Sequence, residues 1–427
     1  MNSRRRRKMT WSTAEPGVVA LRSLCLLLCL TSLGCYQRQE FKTAKVTPEA
    51  LAQQFGDKPA ALQPYGQRLL AEGQRNAVLN QMRLGVRAME IGAWNDAAEA
   101  FDAALGQIES CYADNENARK ARSLYYEEGM KDFKGEPYER CMAYYYRGLL
   151  YLQQRDFGNA RACFKSGILQ DAFAEEEQNR CDFATLIFLD GWAAQQTGDA
   201  AAAQELFQEA KRYRPDFPLP SPQDNVLLVA ETGTAPRKVA DGVGHAELKY
   251  RRGRAFTEKH AQATVNGRSV DLFPMDDVLW QASSRGGRAV DKILEGKVQY
   301  RQTNEQIGTV LTEVSSTAMI SAPLWGRHAG AVQGVSAAIE LLGILPLAAA
   351  ASAKTHADTR YWDNLPDGIH IATMAVPPGR TTVGVDFKDE SGAVVANLRK
   401  ERTLEVPPSG PTVVWVRARE GYPQEQN

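Results

Sequence analysis

The stretch KGEPYERCMAYYYRG, residues 134–148, decides how the chain is read. It combines a turn, several charges, a cysteine and three consecutive tyrosines, so it is either a catalytic loop or the start of a helix inside a repeat. Gly135-Glu136-Pro137 is turn chemistry, and Pro137 stands where a first helical residue gives up its N–H at no cost. A catalytic loop needs a nucleophile, or a base with a partner that tunes its pKa. Glu136, Glu139 and Arg140 offer neither, and at a helix start they read as dipole compensation and a surface pair.

The flanking sequence supports the repeat. RLGVRAMEIGAWNDAAEAFDAAL places Leu84, Gly85, Ala97, Phe101 and Ala104 at the Leu-Gly … Ala-x3-Phe-x2-Ala spacing of a tetratricopeptide repeat. YYYRGLLYLQQRDFGNARACFKSG repeats the pattern with Tyr144, Gly148, Tyr151, Ala160 and Phe164. LDGWAAQQTGDAAAAQELFQEAKRYRP repeats it again with Gly191, Ala203, Phe207, Ala210 and Pro215. Small residues let two antiparallel helices approach, the Phe fills the gap, and the Pro ends the second helix. Gly85, Gly148 and Gly191 lie 63 and 43 residues apart. An uninterrupted array repeats every ~34 residues, so two insertions intervene.

In this architecture the first helix of each repeat lines a concave face. The offsets from each glycine place Met82, Val86 and Met89, then Tyr145, Leu149 and Leu152, then Phe188 and Trp192 on that face. The set is apolar and lacks the Lys/Asn pattern that clamps a peptide carboxylate. An apolar stripe of this length marks an interaction site unless the chain covers it. Two occupants stay open. One is an amphipathic helix or extended apolar segment of another protein. The other is this chain itself, through residues 48–75 or its C-terminal half.

FKGEPYERCMAYYYRGLLYLQQRDFGNARACF resembles the signature of an uncharacterised family of bacterial lipoproteins with tetratricopeptide-like repeats, and the resemblance continues into DTRYWDNLP at 358–366. It implies an envelope location and a non-enzymatic role, and it supplies no catalytic residues.

The N-terminus fits that location. A basic SRRRRK segment, a short apolar run after Arg22 and small residues at its end form a secretory signal. The run is too short for a membrane span, which takes about 20 residues. Gly34-Cys35 resembles a lipobox, with Ser32 where Leu is usual. Cys35 is the expected acylation site, and Tyr36 after it favours the outer membrane, facing the periplasm. Without residues 1–34 the chain has 45 basic and 50 acidic residues, a net of −5. Nucleic-acid binding needs a basic surface, so it is excluded as a partner class.

Signal cleavage removes Cys25 and Cys29, which leaves Cys111, Cys141, Cys163 and Cys181 as thiols in an oxidising compartment. Three pairings are possible. Continuous stacking brings the end of the first repeat to the start of the second, so Cys111–Cys141 is the expected bond.

PDFPLPSPQDN, 215–225, reads as a linker, after which the period changes to two. NVLLVAETG, HAELKYRR, IHIATMAVPPGRTTVGVDF, GAVVANLRK and TVVWVRARE read as strands. ATVNGRSVDLF holds an Asn-Gly hairpin turn. The expected fold is α+β. A signal covers 1–34, a tether and lead-in helix 35–75, and helical repeats 76–216. A β-sandwich-like domain covers 217–427, with a helical insertion over 285–353. Gly326, Gly330 and Gly334, followed by an apolar run, make 317–353 a buried helix pair, a membrane-surface element or a span.

Chemical motifs are scarce. The five histidines make no metal-binding pattern, and P-loop, GxGxxG and GxSxG sequences are absent. Imidazoles and carboxylates gather in HADTRYWDNLPDGIH, with His356, Asp358, Asp363, Asp367 and His370. The sequence therefore points to a lipid-anchored adaptor without cofactor or metal, binding an envelope protein through the repeat groove. The alternative is a hydrolase or metal-binding protein that uses the 356–370 cluster.

Overall fold

Proline at its first position and a capping box make residues 137–153 a helix. The Glu136 side chain accepts from the backbone of Glu139, whose own side chain accepts from the Glu136 N–H at 2.7 Å. The computed structural model that shows this describes residues 43–112, 132–171, 182–241, 247–284 and 358–420. Among them the helices are α1 (Pro48–Phe55), α2 (Gln63–Glu72), α3 (Ala77–Glu90), α4 (Trp94–Tyr112), α5 (Pro137–Gln153), α6 (Phe157–Asp171), α7 (Ala184–Gln196), α8 (Ala200–Tyr213) and the short α9 (Val278–Ser283).

Pairs α3/α4, α5/α6 and α7/α8 form three consecutive hairpins. One device closes all three. A Cβ on Gly85 would lie 2.8 Å from the Phe101 ring, one on Gly148 2.3 Å from Phe164, and one on Gly191 2.8 Å from Phe207. Each hairpin thus seats an aromatic ring directly on a backbone that carries no side chain. Ala97, Ala160 and Ala203 are buried in the facing helices.

The strands are β1 (Val226–Thr232), β2 (Arg237–Asp241), β3 (Glu247–Arg251), β4 (His260–Val265), β5 (Arg268–Asp277), β6 (Gly368–Met374), β7 (Gly379–Lys388), β8 (Lys400–Val406) and β9 (Thr412–Arg417). Strands β2 and β3 pair with each other. The other seven form one sheet in the order β8-β7-β4-β5-β6-β1-β9, antiparallel except for β1 with β9. Its two ends approach, so the sheet is nearly closed like a barrel. This corrects the expected sandwich. Asn266 and Gly267, both at positive φ, turn β4 into β5 as the Asn-Gly signal required. The strand expected at GAVVANLRK is displaced to Lys400–Val406, and the predicted stretch holds an isolated bridge at Val394, a 3-10 turn at Ala396–Leu398 and, at its last residue Lys400, the start of that strand. The helical insertion expected over 285–353 lies outside the described residues.

Period-two alternation gives β1 two buried faces. Val226, Leu228 and Ala230 join Ala261, Ala263, Val385 and Phe387 inside the curved sheet. Leu227 and Val229 face the helices with Ile369, Ile371, Met275 and Trp415, in the same core as Met82, Tyr145 and Trp192. The helical and sheet regions therefore share one core rather than forming two separate domains.

Helix α5 runs through that seam. Its residues Pro137–Leu150 are buried all round, because α4 and α6 flank it and the sheet covers its remaining face. Glu139 is not the surface charge expected of a helix start. It is fully buried, and its Oε1 accepts from the Trp362 N–H at 2.7 Å. The two stretches that carry the family resemblance thus meet in space. Arg83 bonds Asp363 at 2.7 Å, Lys238 bonds Glu136 at 2.6 Å, and the Trp362 ring lies 5.7 Å from that of Tyr146.

Candidate functional site

The expected groove is not open. Met82, Val86, Met89, Tyr145, Leu149, Leu152, Phe188 and Trp192 are all buried, none more than 3% exposed. The chain's own C-terminal half occupies the face. Phe217 packs edge-on to Phe188 at 4.9 Å, and Trp415 packs edge-on to Tyr146 at 6.2 Å. Glu231 of β1 accepts from Tyr145 Oη at 3.1 Å, Tyr146 Oη at 3.0 Å and Trp415 Nε1 at 2.9 Å, and pairs with Arg417 Nε at 3.0 Å. Arg417 also pairs with Glu90 at 2.7 Å. Burial pushes the Glu231 carboxyl above its ordinary range, opposed by Arg417 and the three uncharged donors. All four donors are protein groups, so this cluster joins helices to sheet.

The expected Cys111–Cys141 bond falls partly outside the described residues. Cys141 is a buried thiol whose Sγ donates to the Gly167 carbonyl at 3.2 Å. The Cys111 side chain and all of Cys181 lie outside the described residues. Cys163 is a half-buried thiol, pushed by burial up to about 11. Cys35 and the signal also lie outside the described residues, as do His356 and 317–353. No helix among the described residues is long and apolar enough to cross a membrane.

The HADTRYWDNLPDGIH cluster is dispersed by its own partners. Asp358 pairs with Arg360 at 2.6 Å, and Asp363 turns to Arg83. Among the described residues no three His, Cys, Asp or Glu side chains converge as metal ligands. Asp367 and His370 do come together, however, at a cavity of about 570 Å³. It opens at the end of the sheet where β1, β5 and β7 finish and β4 and β6 begin.

The cavity is built from distant parts of the chain. Arg214, just past α8, pairs with Asp276 at 2.5 Å. Asp276 is buried at the end of β5 and also accepts from the Thr185 N–H at 2.7 Å. Burial raises its carboxyl to about 6, with Arg214 opposing. Arg252, after β3, bridges Asp367 and Asp277, the latter at 2.8 Å. Burial raises Asp367 to about 6 as well, against the pull of Arg252. Its Oδ2 meets Arg252, while its buried Oδ1 has no hydrogen-bond partner. His370 Nε2 lies 3.0 Å from Thr232 Oγ1, and burial lowers this imidazole to about 4, so it is neutral near pH 7. Lys259 sits 3.6 Å above the Phe256 ring. Trp280 completes the wall. It is 53% exposed, with its indole N–H on Asp182 at 3.2 Å and its backbone N–H capped by Asp277 at 3.0 Å.

Paired charges with shifted carboxyls in a concavity are the usual marks of a functional site. Sequence reasoning reached Asp367 and His370 but missed Arg214, Arg252, Asp276 and Trp280. PMDDVLW, 274–280, held a signal in its Asp277 helix cap, but nothing local ties it to Arg214 or Asp367. No protein-family model, no curated protein and no solved structure matches the chain.

Proposed function

We propose that this chain is a lipid-anchored protein of the bacterial envelope that acts by binding, through the cavity at the end of its sheet. The single observation that carries the binding site is that cavity, walled by Arg252, Asp277, Asp367, His370 and Trp280. Anchoring at Cys35, in the outer membrane facing the periplasm, rests on the signal and lipobox. The three hairpins are read as tetratricopeptide-like, supported by their common Gly-on-Phe contact. They act as a scaffold, since the sheet fills their concave face. Contact with an envelope protein partner therefore moves to the cavity, where a polar group of that partner enters. The net acidic charge argues against nucleic acid.

A hydrolytic function has one observation in its favour, the 3.0 Å contact between Thr232 and His370. Three facts weigh against it. Both side chains are 3% exposed, the imidazole is pushed down to about 4, and its Nδ1 has no carboxylate to orient it.

A photoreactive phenylalanine analogue in place of Trp280, irradiated in envelope preparations, tests the binding site. The comparison is the same analogue in place of Leu169, a surface residue 61% exposed on α6. A discrete adduct from position 280 alone supports the proposal. Equal or absent adducts from both positions sink it.

A further inference from the structure

Away from the cavity, we infer that Lys238 and Glu136 join covalently: the lysine Nζ condenses with the Glu136 carboxyl, with Glu139 as proton carrier, to give an isopeptide bond that ties β2 to the start of α5. Three observations carry it.

The first is contact. Lys238 Nζ lies 2.6 Å from Glu136 Oε1 and also donates to the Arg360 carbonyl at 3.1 Å. KGEPYER holds no nucleophile placed against its own acids, and β2 brings one from a distant part of the chain. A nucleophile held against its acceptor gains the rate advantage of an intramolecular reaction.

The second is dryness. The Lys238 side chain is 2% exposed and that of Glu136 12%. Tyr250 faces Lys238 across the β2/β3 ladder and packs edge-on to Tyr138 at 5.7 Å. Burial acts to lower the Lys238 ammonium, but the charges around it, Glu136 first among them, together outweigh burial, so the pair rests ionised. Holding two charges out of water is costly. An amide carries no charge, so condensation removes that cost and releases its water to solvent.

The third is Glu139. It lies three residues beyond Glu136, on the same face of α5. Its Oε1 is fixed by the Trp362 N–H and its Oε2 by the Glu136 N–H, each at 2.7 Å. Burial raises its carboxyl, Lys238 pulls it down and Glu136 adds to the rise, so Glu139 lies within electrostatic reach of both reacting groups. A carboxylate with raised proton affinity is suited to take a proton and return it.

The step balances without a co-reactant. One ammonium proton crosses to Glu136, leaving an amine and a carboxylic acid. The amine lone pair attacks Glu136 Cδ and the C–N bond forms. Glu139 takes a second proton from the nitrogen and delivers it to the departing hydroxyl. The C–O bond breaks, water leaves, and Glu139 ends as the carboxylate it began.

The test is proteolytic mapping by mass spectrometry of the full chain, folded first and then denatured and reduced. One branched peptide should join the segment of Glu136 to that of Lys238, lighter than the two together by one water. In Lys238→Arg, whose guanidinium stays charged and cannot attack, both segments should appear separately at full mass, with a lowered melting temperature. Glu139→Gln should slow linkage by roughly a hundredfold or more, the usual contribution of a general acid–base group. If the folded parent yields the two segments unlinked, the inference is overturned. A water loss that maps instead to an Asp-Gly pair such as Asp367-Gly368 overturns it equally. A Glu139→Gln chain that links as fast as the parent overturns the role of Glu139 as proton carrier.

Discussion

Glu231 and Asp367 are both acids drawn out of water beside the end of β1, and their surroundings differ sharply. Glu231 faces the helices and is met by four donors from α5 and β9. Asp367, whose N–H bonds the Thr232 carbonyl, faces the cavity with one oxygen on Arg252 and the other unpartnered. A buried acid whose lone pairs are met by protein donors holds elements together, and removing it strands its partners. A buried acid with an unmet oxygen beside a cavity retains capacity for something else. The helix–sheet seam is thus architecture, and the end of the sheet is where chemistry remains unfilled.

The largest effect that can break this contrast lies in the seam. Tyr145→Ala with Trp192→Ala removes two fully buried rings at about 3–5 kcal/mol each, comparable with the whole stability of a domain. Urea titration followed by circular dichroism should show no cooperative transition. A stable double variant would mean that the concave face is open.

Glu231→Ala comes next, with an expected loss of about 3–5 kcal/mol, because Arg417 keeps its charge in a buried site and two tyrosine hydroxyls lose an acceptor. Chemical denaturation reads it directly, and a loss below about 1 kcal/mol would show water reaching the seam. Gly148→Ala is smaller, at about 1–3 kcal/mol, since the added methyl meets the Phe164 ring and the α5/α6 hairpin must spread. Its thermal shift should exceed that of Gly106→Ala, a helical site where an added Cβ meets nothing within 4 Å.

The smallest effects sharpen the cavity side and depend on pH. Asp367 is raised to about 6, so its stabilising contribution is complete below the unfolded value near 3.9 and is lost as pH rises through 6. His370 is lowered to about 4, so its contribution is complete above about 6.5 and is lost as pH falls towards 4. The two slopes are opposite in the same window. Relative to the parent, Asp367→Asn should gain and His370→Gln should lose about 2 kcal/mol between pH 4 and 7. Denaturant midpoints at half-unit pH steps check both signs, and parallel profiles would contradict the burial of the two groups.

How much of this was legible follows from how local each signal is. The hairpins were readable because Gly85, Gly148 and Gly191 meet Phe101, Phe164 and Phe207 at short, repeated sequence distances. The β4/β5 hairpin was readable for the same reason, since Asn266-Gly267 can make few other turns. Strand β8 was not. Lys400, Glu401, Arg402 and Glu405 disguise it with the charges typical of a strand at a sheet's end, while the more apolar GAVVANLRK became a loop held by Asp389. Spacing showed which face of α3, α5 and α7 is apolar, but it carried no information on what covers that face. The cavity was hidden for the same reason. Arg214, Arg252, Asp277 and Asp367 are brought together by strand order, which no local pattern encodes.

Hydroxyl-radical footprinting of the native chain, read tryptophan by tryptophan by mass spectrometry, tests the central contrast in one experiment. Trp192 and Trp362 are fully buried in the seam, and Trp415 is nearly so, whereas Trp280 is 53% and Trp94 36% exposed. Oxidation should be fast at Trp280, slower at Trp94 and suppressed at Trp192 and Trp362 until the chain unfolds. Trp192 and Trp362 reacting as fast as Trp280 would contradict the account, because the sheet could not then be covering the concave face of the helices.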